Sequence, residues 1–397
     1  MLTEKIVLAH GSGGAETASL MEAVFAKRFK NEILDRLEDS AVIAVDKLAS
    51  GEDRKFSASD HQAPGESILA LEKALSCGIA VSTDSYVVKP LVFPGGDIGK
   101  LAVCGTVNDV LMSGAVPKWL TCGFIIEAGL DISVLDNICA SMAMAAAEAG
   151  VTIIAGDTKV IEGKDEEGGL IINTTGIGLI RVDHMADISY GASDNSAHNA
   201  SDNSFRKGII PAIPSPAGIR PGDMIIVSGN LGDHHAAILS ARMGVKNNIK
   251  SDCAILSPIV KKLTAAGVPI HAMRDVTRGG LATVLNELAA ASGITIEIEE
   301  TKIPVNKEVR AFCGIMGLDP LYMGNEGKMV LAVRPDDAAR ALALIRETEI
   351  GKDAAIVGAA AETTKRADSL PSVILRTRIG GRVRLNVLYG EGLPRIC

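Results

Sequence analysis

Strands, acidic glycine-containing turns and helices follow one another in the same order in both halves of the chain, which leaves few folds open. In the first half, a β-prone run at 79–83 leads to Asp84, and a glycine-rich turn at 94–99 opens a helix that ends near Ser113. In the second half, residues 270–280 form a similar turn before a helix, although the likeness is too weak to establish a duplication. This order predicts an α/β (α+β) fold with ligand-binding side chains at strand ends.

The composition argues against two broad classes of protein. With 397 residues, of which 47% are apolar and 22% charged, the chain is long enough for two globular domains. The net charge of -8 argues against a nucleic-acid or anionic-membrane surface, because both bind basic patches. The chain has no signal-peptide pattern, no apolar run long enough to span a membrane, and seven cysteines without a CxxC pair. We therefore expect a cytoplasmic protein with reduced thiols.

Two polar stretches predict where the chain divides. Residues 46–66 are interpreted as a surface insertion, and residues 185–208 are too low in complexity to supply a core. We place the domains at 1–208 and 209–388, followed by a flexible tail at 389–397 that ends in Cys397. Glycines and Pro394 keep this tail from forming a helix, so it could carry a thiol on a tether. A frayed terminus that happens to end in cysteine is the alternative.

Three aspartates stand where a nucleotide and its Mg²⁺ could bind. Asp84 and Asp157 each stand at the end of a β-prone run, and Asp109 lies beside Asn108 in an otherwise apolar helix. A polar pair in an apolar helix is costly unless something binds it, and Mg²⁺ prefers carboxylate ligands. We therefore predict a magnesium site at Asp84, Asp109 and Asp157. A solvated helix face and ordinary strand-capping aspartates are the alternatives.

Other polar residues are candidates for contacts with phosphate. A loop whose amides can face an anion is formed by Gly11, Ser12, Gly13 and Gly14, although a plain turn fits this loop equally well. Asp275 and Arg278 precede a helix and suit a phosphate, unless they belong to an ion pair that caps the helix. Lys159 accompanies Asp157, and Glu326 is either a functional carboxylate or a turn residue.

Several of these motifs resemble known families. The pattern Asp-x4-Gly-Ala-x-Pro at 109–117 resembles the ATP-binding signature of the PurM-like superfamily. More narrowly, the chain is similar to the HypE family of hydrogenase maturation proteins. The motifs that carry this resemblance are HGSGG (10–14), STDS (82–85), FPGGDIG (93–99), GDTK (156–159), RDVTRGG (274–280) and PRIC (394–397). The resemblance covers nearly the whole chain, and the insertions near 46–66 and 185–208 are its departures.

The resemblance implies a two-domain PurM-like fold and a specific reaction. The N-terminal half would contribute to a dimeric β-barrel, with ATP near the subunit interface of a homodimer. A HypF carbamoyltransferase would load Cys397 with a carbamoyl group, and this protein would use ATP to dehydrate that group to S-cyanide. The cyanide would pass to a HypC–HypD scaffold that carries the iron of a [NiFe] hydrogenase.

The resemblance also implies roles for the candidate residues. The three aspartates would hold Mg²⁺ and the phosphates of ATP, with the loop at 11–14 closing over them. Lys159 would neutralise charge on the transferring phosphoryl group, and Glu326 would remove the amide proton. Cys397 would act as a covalent carrier.

Two other functions are compatible with the same sequence. A selenophosphate synthetase would share the fold and the nucleotide, but it usually has a reactive cysteine or selenocysteine early in the chain, whereas Cys77 is the first cysteine here. A non-catalytic carrier that presents Cys397 to partners would need no ATP. ATP turnover separates this carrier from the enzyme.

Overall fold

A computed structural model gives the fold of the chain. It describes residues 6, 10, 14–29, 31, 33–36, 38–44, 77–163, 168–181, 214–361 and 370–388. The two expected insertions and the tail at 389–397 lie outside these ranges, and so do the domain boundaries that depend on them.

The first half of the chain forms a five-stranded sheet. Its helices include α1 (Ala15–Leu20), α2 (Ile98–Met112) and α3 (Ile132–Ala149), and short helical segments follow α1 at Met21–Ala26, Lys27–Phe29 and Leu34–Arg36. Its strands are β1 (Ala41–Ala44), β2 (Cys77–Tyr86), β3 (Val92–Phe93), β4 (Gly96–Asp97), β5 (Val116–Glu127), β6 (Thr152–Ile161) and β7 (Leu170–Arg181). The sheet has the order β1-β2-β7-β5-β6, and β3 and β4 form a separate hairpin. All neighbours in the sheet are antiparallel except β5 and β6, which are parallel. The strand β6 therefore lies at one edge.

The second half forms a seven-stranded sheet between two layers of helices. Its helices are α4 (Asp233–Arg242), α5 (Ser257–Ala265), α6 (Gly280–Ser292), α7 (Lys307–Met316) and α8 (Pro335–Arg346), and its strands are β8 (Met224–Val227), β9 (Ile270–Asp275), β10 (Thr295–Glu299), β11 (Met329–Val333), β12 (Ala355–Ala361), β13 (Val373–Arg376) and β14 (Arg382–Leu385). The strand order is β14-β13-β10-β12-β8-β11-β9. Ile225 and Val227 pack toward α6, whereas Ile226 packs into the core on the other face, as strand alternation requires. The sequence at 370–388 predicts two closing strands around a turn at Gly380, and β13 and β14 confirm them.

Helix α2 is buried on all sides, which the sequence did not predict. Its sequence predicts one apolar face with Cys104, Val107 and Leu111, but thirteen of its fifteen residues are buried. The helix lies between the first sheet and the second domain, where it contacts β9 and α5 as well as β2 and β7. A helix that is apolar on every face is stable only when it is enclosed in this way. The core therefore continues across both halves of the chain.

The apolar spacing of residues 132–149 and the closing Gly150 predict a helix there, and helix α3 confirms it. It ends at Gly150, whose φ of 74° places it in the left-handed conformation of a helix C-cap. By length and composition α3 could cross a membrane, but Ile138 and Met142 are buried against α2, as in a core helix of a globular protein. A Cβ at Gly99 of α2 would lie 2.7 Å from the Met142 side chain, so this glycine permits the close approach of the two helices.

Candidate functional site

A cleft of about 300 Å³ lies between the two halves of the chain. Strand β2 and helix α2 form one wall, and the end of β9 and the start of α6 form the other. The ionisable residues that line it are Asp39, Asp84, Tyr86, Asp109, His234, Arg274, Asp275, Arg278, Glu287 and Glu326. The cleft therefore brings together carboxylates from both sheets with two arginines.

Three aspartates form an acidic cluster at the centre of the cleft. Asp84 comes from β2, Asp109 from α2 and Asp275 from the end of β9. The carboxyl group of Asp109 lies close enough to those of Asp84 and Asp275 for their charges to affect its pKa, and its Oδ2 accepts a 2.8 Å bond from the Ser82 hydroxyl. Three carboxyl groups this close repel one another when all are ionised, so the cluster favours a shared proton or a bound cation.

Burial changes the acidity of this cluster. It is the main cause that raises the pKa of Asp109 well above its usual range, followed by the negative charges of Asp275 and Asp84. Burial also raises the pKa of Asp275 to about 6, against the opposing effect of Arg274. These shifts are expected where negative charge is concentrated in a partly enclosed space, and such groups mark candidate functional sites.

An ionic network joins the N-terminal segment to the second domain at the rim of the cleft. Arg274 Nε lies 2.5 Å from Asp39 Oδ1, and Arg274 Nη2 donates a 3.1 Å bond to Glu287 of α6. Asp39 Oδ2 is buried and has no hydrogen-bond partner among the described residues. Burial raises the pKa of Asp39 well above its usual range, Arg274 opposes this shift, and the charges of Asp275, Glu287 and Asp84 raise the pKa further, so Asp39 lies near the same cluster.

The donor set of the cleft fits a magnesium nucleotide. No group of three His, Cys, Asp or Glu side chains in the described part of the chain has the arrangement of a complete metal site. Mg²⁺ seldom requires a complete protein site, because it commonly binds one or two carboxylates and fills its remaining coordination positions with phosphate oxygens and water. Asp84 and Asp109 could supply such carboxylates, and Arg278 could face the phosphates.

Glu326 lies in the cleft, close to the acidic cluster. Burial raises the pKa of its carboxyl group well above the usual range, and the neighbouring Cys253, Asp275 and Asp252 raise it further, while Arg278 opposes them. A carboxyl group with a raised pKa is a stronger base once it is ionised. Glu326 therefore has the position and the environment of an acid–base group.

Other predicted residues lie away from the cleft lining. Asp157 and Lys159 form a 2.9 Å ion pair on edge strand β6, where both side chains are 69% exposed. Asn108 is buried and joins the two halves, because its Nδ2 donates to Ala254 O (3.0 Å) and its Oδ1 accepts from Leu256 N (2.9 Å). The assignments of these residues to the nucleotide site stay predictions.

One detail of the predicted positions was wrong. Asp84 and Asp157 lie inside strands β2 and β6 and not at strand ends, because each strand continues past its acidic residue. Gly14 caps α1 with a φ of -100°, a conformation that does not require glycine. Gly11, Ser12, Gly13 and Cys397 lie outside the described residues.

Sequence reasoning missed Asp39 and Glu287. Asp39 follows Glu38 and precedes the short apolar strand β1. An acidic residue next to a β-prone run was the pattern that identified Asp84, and the same pattern could have identified Asp39. Glu287 lies in the middle of α6 and has no local signal. Only the packing of α6 against β9 brings its carboxylate to Arg274.

The acidic cluster predicts how the stability of the protein depends on pH. The pKa of Asp275 is raised from 3.8 to about 6, so the stability that its proton confers is present below pH 4 and is lost as the pH rises through 6. We expect Asp275→Asn to flatten the fall of the unfolding midpoint between about pH 4 and pH 7. Mg-ATP is expected to raise the midpoint of the unsubstituted protein more at about pH 8 than at about pH 5. Thermal unfolding followed by circular dichroism measures both effects, and identical pH profiles for the two proteins would contradict this account.

The chain is similar to known protein families and to solved structures. Residues 68–180 match the model of the AIR synthase related protein N-terminal domain, and residues 220–367 match that of the C-terminal domain. The carbamoyl dehydratase HypE of Rhodobacter capsulatus is 40% identical over 397 residues, covering 99% of this chain and 98% of that protein.

Two solved structures are similar over nearly the whole chain. A crystal structure of the hydrogenase maturation protein HypE in complex with ATP shares 40% identity with a TM-score of 0.70, covering 99% of this chain and 100% of that one. A crystal structure of a HypE–HypF complex shares 38% identity with a TM-score of 0.72, covering 93% and 100%. The two-domain PurM-like fold that was predicted is therefore confirmed.

Proposed function

Because the chain belongs to the HypE family of carbamoyl dehydratases, we propose that it uses ATP to convert an S-carbamoyl group on its own Cys397 to S-cyanide. The observation that carries this proposal is the cleft between the two domains, in which Asp84, Asp109 and Asp275 meet Arg278 and Glu326. An ATP-dependent dehydration needs carboxylates that can bind a cation, an arginine that can bind phosphate, and a separate acid–base group.

The reaction requires ATP because hydroxide is a very poor leaving group from an amide. The amide oxygen attacks the γ-phosphorus of ATP, so that an O–P bond forms and ADP leaves. Loss of both N–H protons and cleavage of the C–O bond then give the nitrile and inorganic phosphate. The oxygen of the carbamoyl group thus ends in phosphate, and the sulfur of Cys397 keeps its bond to carbon throughout.

Each residue of the cleft has a separate role in this reaction. Asp84 and Asp109 hold Mg²⁺, which when bound neutralises phosphate charge, and Arg278 binds the phosphates. Asp275 lies in the same cleft and adds a third carboxyl group to the cluster. Glu326 removes a proton from the amide nitrogen, because its carboxyl group lies in the same cleft with a raised pKa.

The start of the tail lies near this cleft. Leu385 O accepts a 2.9 Å bond from Asn286 of α6, and Asn386 O accepts a 3.1 Å bond from the Tyr322 hydroxyl. Helix α6 also lines the cleft through Thr283. The segment 389–397 has nine residues and can span at most about 30 Å when extended. This reach supports delivery of Cys397 to the cleft.

A homodimer explains why Asp157 and Lys159 lie outside the cleft of one chain. All ten residues of edge strand β6 are exposed, including Ile154 and Val160, so the edge of the first sheet is open to pairing with a second copy. We include in the proposal that dimer formation brings this strand to the nucleotide, where Lys159 neutralises phosphoryl charge and Asp157 assists with Mg²⁺.

The proposal includes partners and a compartment. A HypF carbamoyltransferase loads Cys397, in agreement with the related HypE–HypF complex, and a HypC–HypD scaffold accepts the cyanide. We also propose that the domains span 1–208 and 209–388 and that the protein is located in the cytoplasm.

Mass spectrometry of the C-terminal peptide tests the proposed function. The protein is loaded briefly with HypF, a carbamoyl donor and Mg-ATP, and the carbamoylated protein is isolated before it dehydrates and is freed of nucleotide. We expect a carbamoyl adduct on Cys397 that loses one water only after ATP is added back. An adduct that forms but never dehydrates would instead identify a thiol carrier. An unmodified Cys397 would favour phosphoryl transfer to a small molecule.

A further inference from the structure

The turn that carries Glu326 is held by a buried carboxylate. Asp252 Oδ1 accepts a 3.1 Å bond from Glu326 N, and its Oδ2 accepts a 3.3 Å bond from Gly327 N. Lys328 Nζ lies 3.2 Å from Asp252 Oδ2 and also donates to Gly327 O at 3.2 Å. Asp252 thus binds the main-chain nitrogens of Glu326 and Gly327, and Lys328 binds the main-chain oxygen of Gly327.

Close packing of two backbone segments reinforces this contact. A Cβ at Gly327 would collide with Asp252 O and would lie 3.0 Å from Ala254 N, so the turn at 325–328 rests directly on residues 252–254. Ala254 N in turn donates to Glu326 O at 3.4 Å. Only glycine permits this approach, which leaves the Glu326 backbone little freedom to shift.

The same segment connects the turn to the first domain. Asn108 of α2 bonds to Ala254 O and Leu256 N, and Ser251 N donates a 2.7 Å bond to Pro94 O. The position of Glu326 is therefore set relative to α2, the helix that contributes Asp109 to the acidic cluster. The turn that carries Glu326 and the helix that carries Asp109 are therefore both hydrogen-bonded to the segment at 251–256.

The Asp252–Lys328 ion pair is a costly way to stabilise a fold. The side chains of Asp252 and Lys328 are only 3% and 10% exposed, and transferring two charges out of water offsets much of their mutual attraction. A well-packed apolar pair would stabilise this site as well or better. The contacts of the pair point instead to a role in orienting the adjacent carboxylate.

We propose that Asp252 and Lys328 are positioning residues that aim the Glu326 carboxylate at the carbamoyl nitrogen during dehydration. This inference rests on the proposed function, and it adds two residues that do not themselves line the cleft. Their effect is on the placement of the base, since a displacement of about 1 Å can cost a catalytic group about 100-fold in rate.

Single-turnover dehydration of the carbamoylated tail tests this inference. We expect Asp252→Asn to lower the dehydration rate about 10- to 100-fold while the KM for ATP stays within about twofold. In a Glu326→Gln background, the same substitution is expected to lower the residual rate no further, because the base it positions is already absent. The double substitution Asp252→Asn with Lys328→Gln leaves no unpaired lysine, so it keeps the fold and should show the same loss of rate.

Asp223→Asn is a matched control. Asp223 is also a buried carboxylate that binds a main-chain nitrogen (Arg220 N, 2.8 Å) and a basic side chain (His271 Nδ1, 2.8 Å), but it does not line the cleft. We expect it to affect the unfolding midpoint and not the dehydration rate. A wild-type rate in Asp252→Asn, an equal loss in the Glu326→Gln background, or an equal loss in Asp223→Asn would each overturn the positioning role. If the unsubstituted protein forms no S-cyanide, the proposed function itself fails.

Discussion

Asp109→Asn is expected to lower the rate of dehydration by about 100- to 1,000-fold without destabilising the protein. The charges of Asp84 and Asp275 both raise the pKa of Asp109, so the three carboxyl groups are close together and Asp109 is a candidate ligand for any cation bound in the cluster. An asparagine there removes one negative charge and presents an amide N–H, a donor that repels a cation. The measurement is single-turnover formation of S-cyanide on the tail, together with calorimetric titration of Mg-ATP.

The stability of the same variant separates a chemical role from misfolding. Burial raises the pKa of Asp109, so ionising it in the folded protein costs free energy that a neutral asparagine avoids. We therefore expect the free energy of unfolding near pH 7 to be unchanged or higher, while activity falls. Asp84→Asn is expected to stop dehydration in the same way, with loading of the tail intact.

A surface aspartate provides the control for this experiment. Asp353 is exposed and accepts a single 2.7 Å bond from Asn230, so Asp353→Asn should leave both rate and stability unchanged. Formation of S-cyanide at the wild-type rate in Asp109→Asn would rule out the proposed role of the cluster.

Asn108→Ala is expected to lower the free energy of unfolding by about 2–4 kcal/mol. The Asn108 side chain is 2% exposed and pairs with Ala254 O and Leu256 N across the boundary between the domains. Alanine leaves a buried donor and a buried acceptor without partners, and each such group costs about 1–3 kcal/mol. Urea unfolding, followed by circular dichroism, measures the loss.

This variant also tests the nucleotide contact that the sequence predicted for Asn108. If Asn108 holds the two domains together, the Asn108→Ala protein is less stable, and the affinity of the folded protein for ATP changes little. If it binds the nucleotide instead, affinity falls while stability is kept. Asn230→Ala removes an exposed amide with one partner and is expected to change the free energy of unfolding by no more than about 0.5 kcal/mol.

Local sequence patterns were sufficient for the regular elements. Apolar spacing and the closing Gly150 predicted helix α3, because both signals act within a few turns of the chain. The β-prone run at 79–83 predicted the centre of β2, and the glycine turn at Gly380 predicted the last two strands. The motifs around Asp84, Asp109 and Arg274 also identified much of the cleft, because each motif lies on its own short segment.

Tertiary structure decided which of these segments meet. Asp84 and Asp157 have similar local surroundings, yet β2 pairs on both sides inside the sheet and brings Asp84 to the cleft, whereas β6 is an edge strand and leaves Asp157 exposed. Strand order depends on pairing between distant segments, and no local pattern records it. The sequence by itself therefore determined the elements and the chemical groups they carry. Only the packing of α2 between the two domains determined that carboxylates from both halves share one cleft, because burial and mutual charge arise from contacts between residues far apart in the chain.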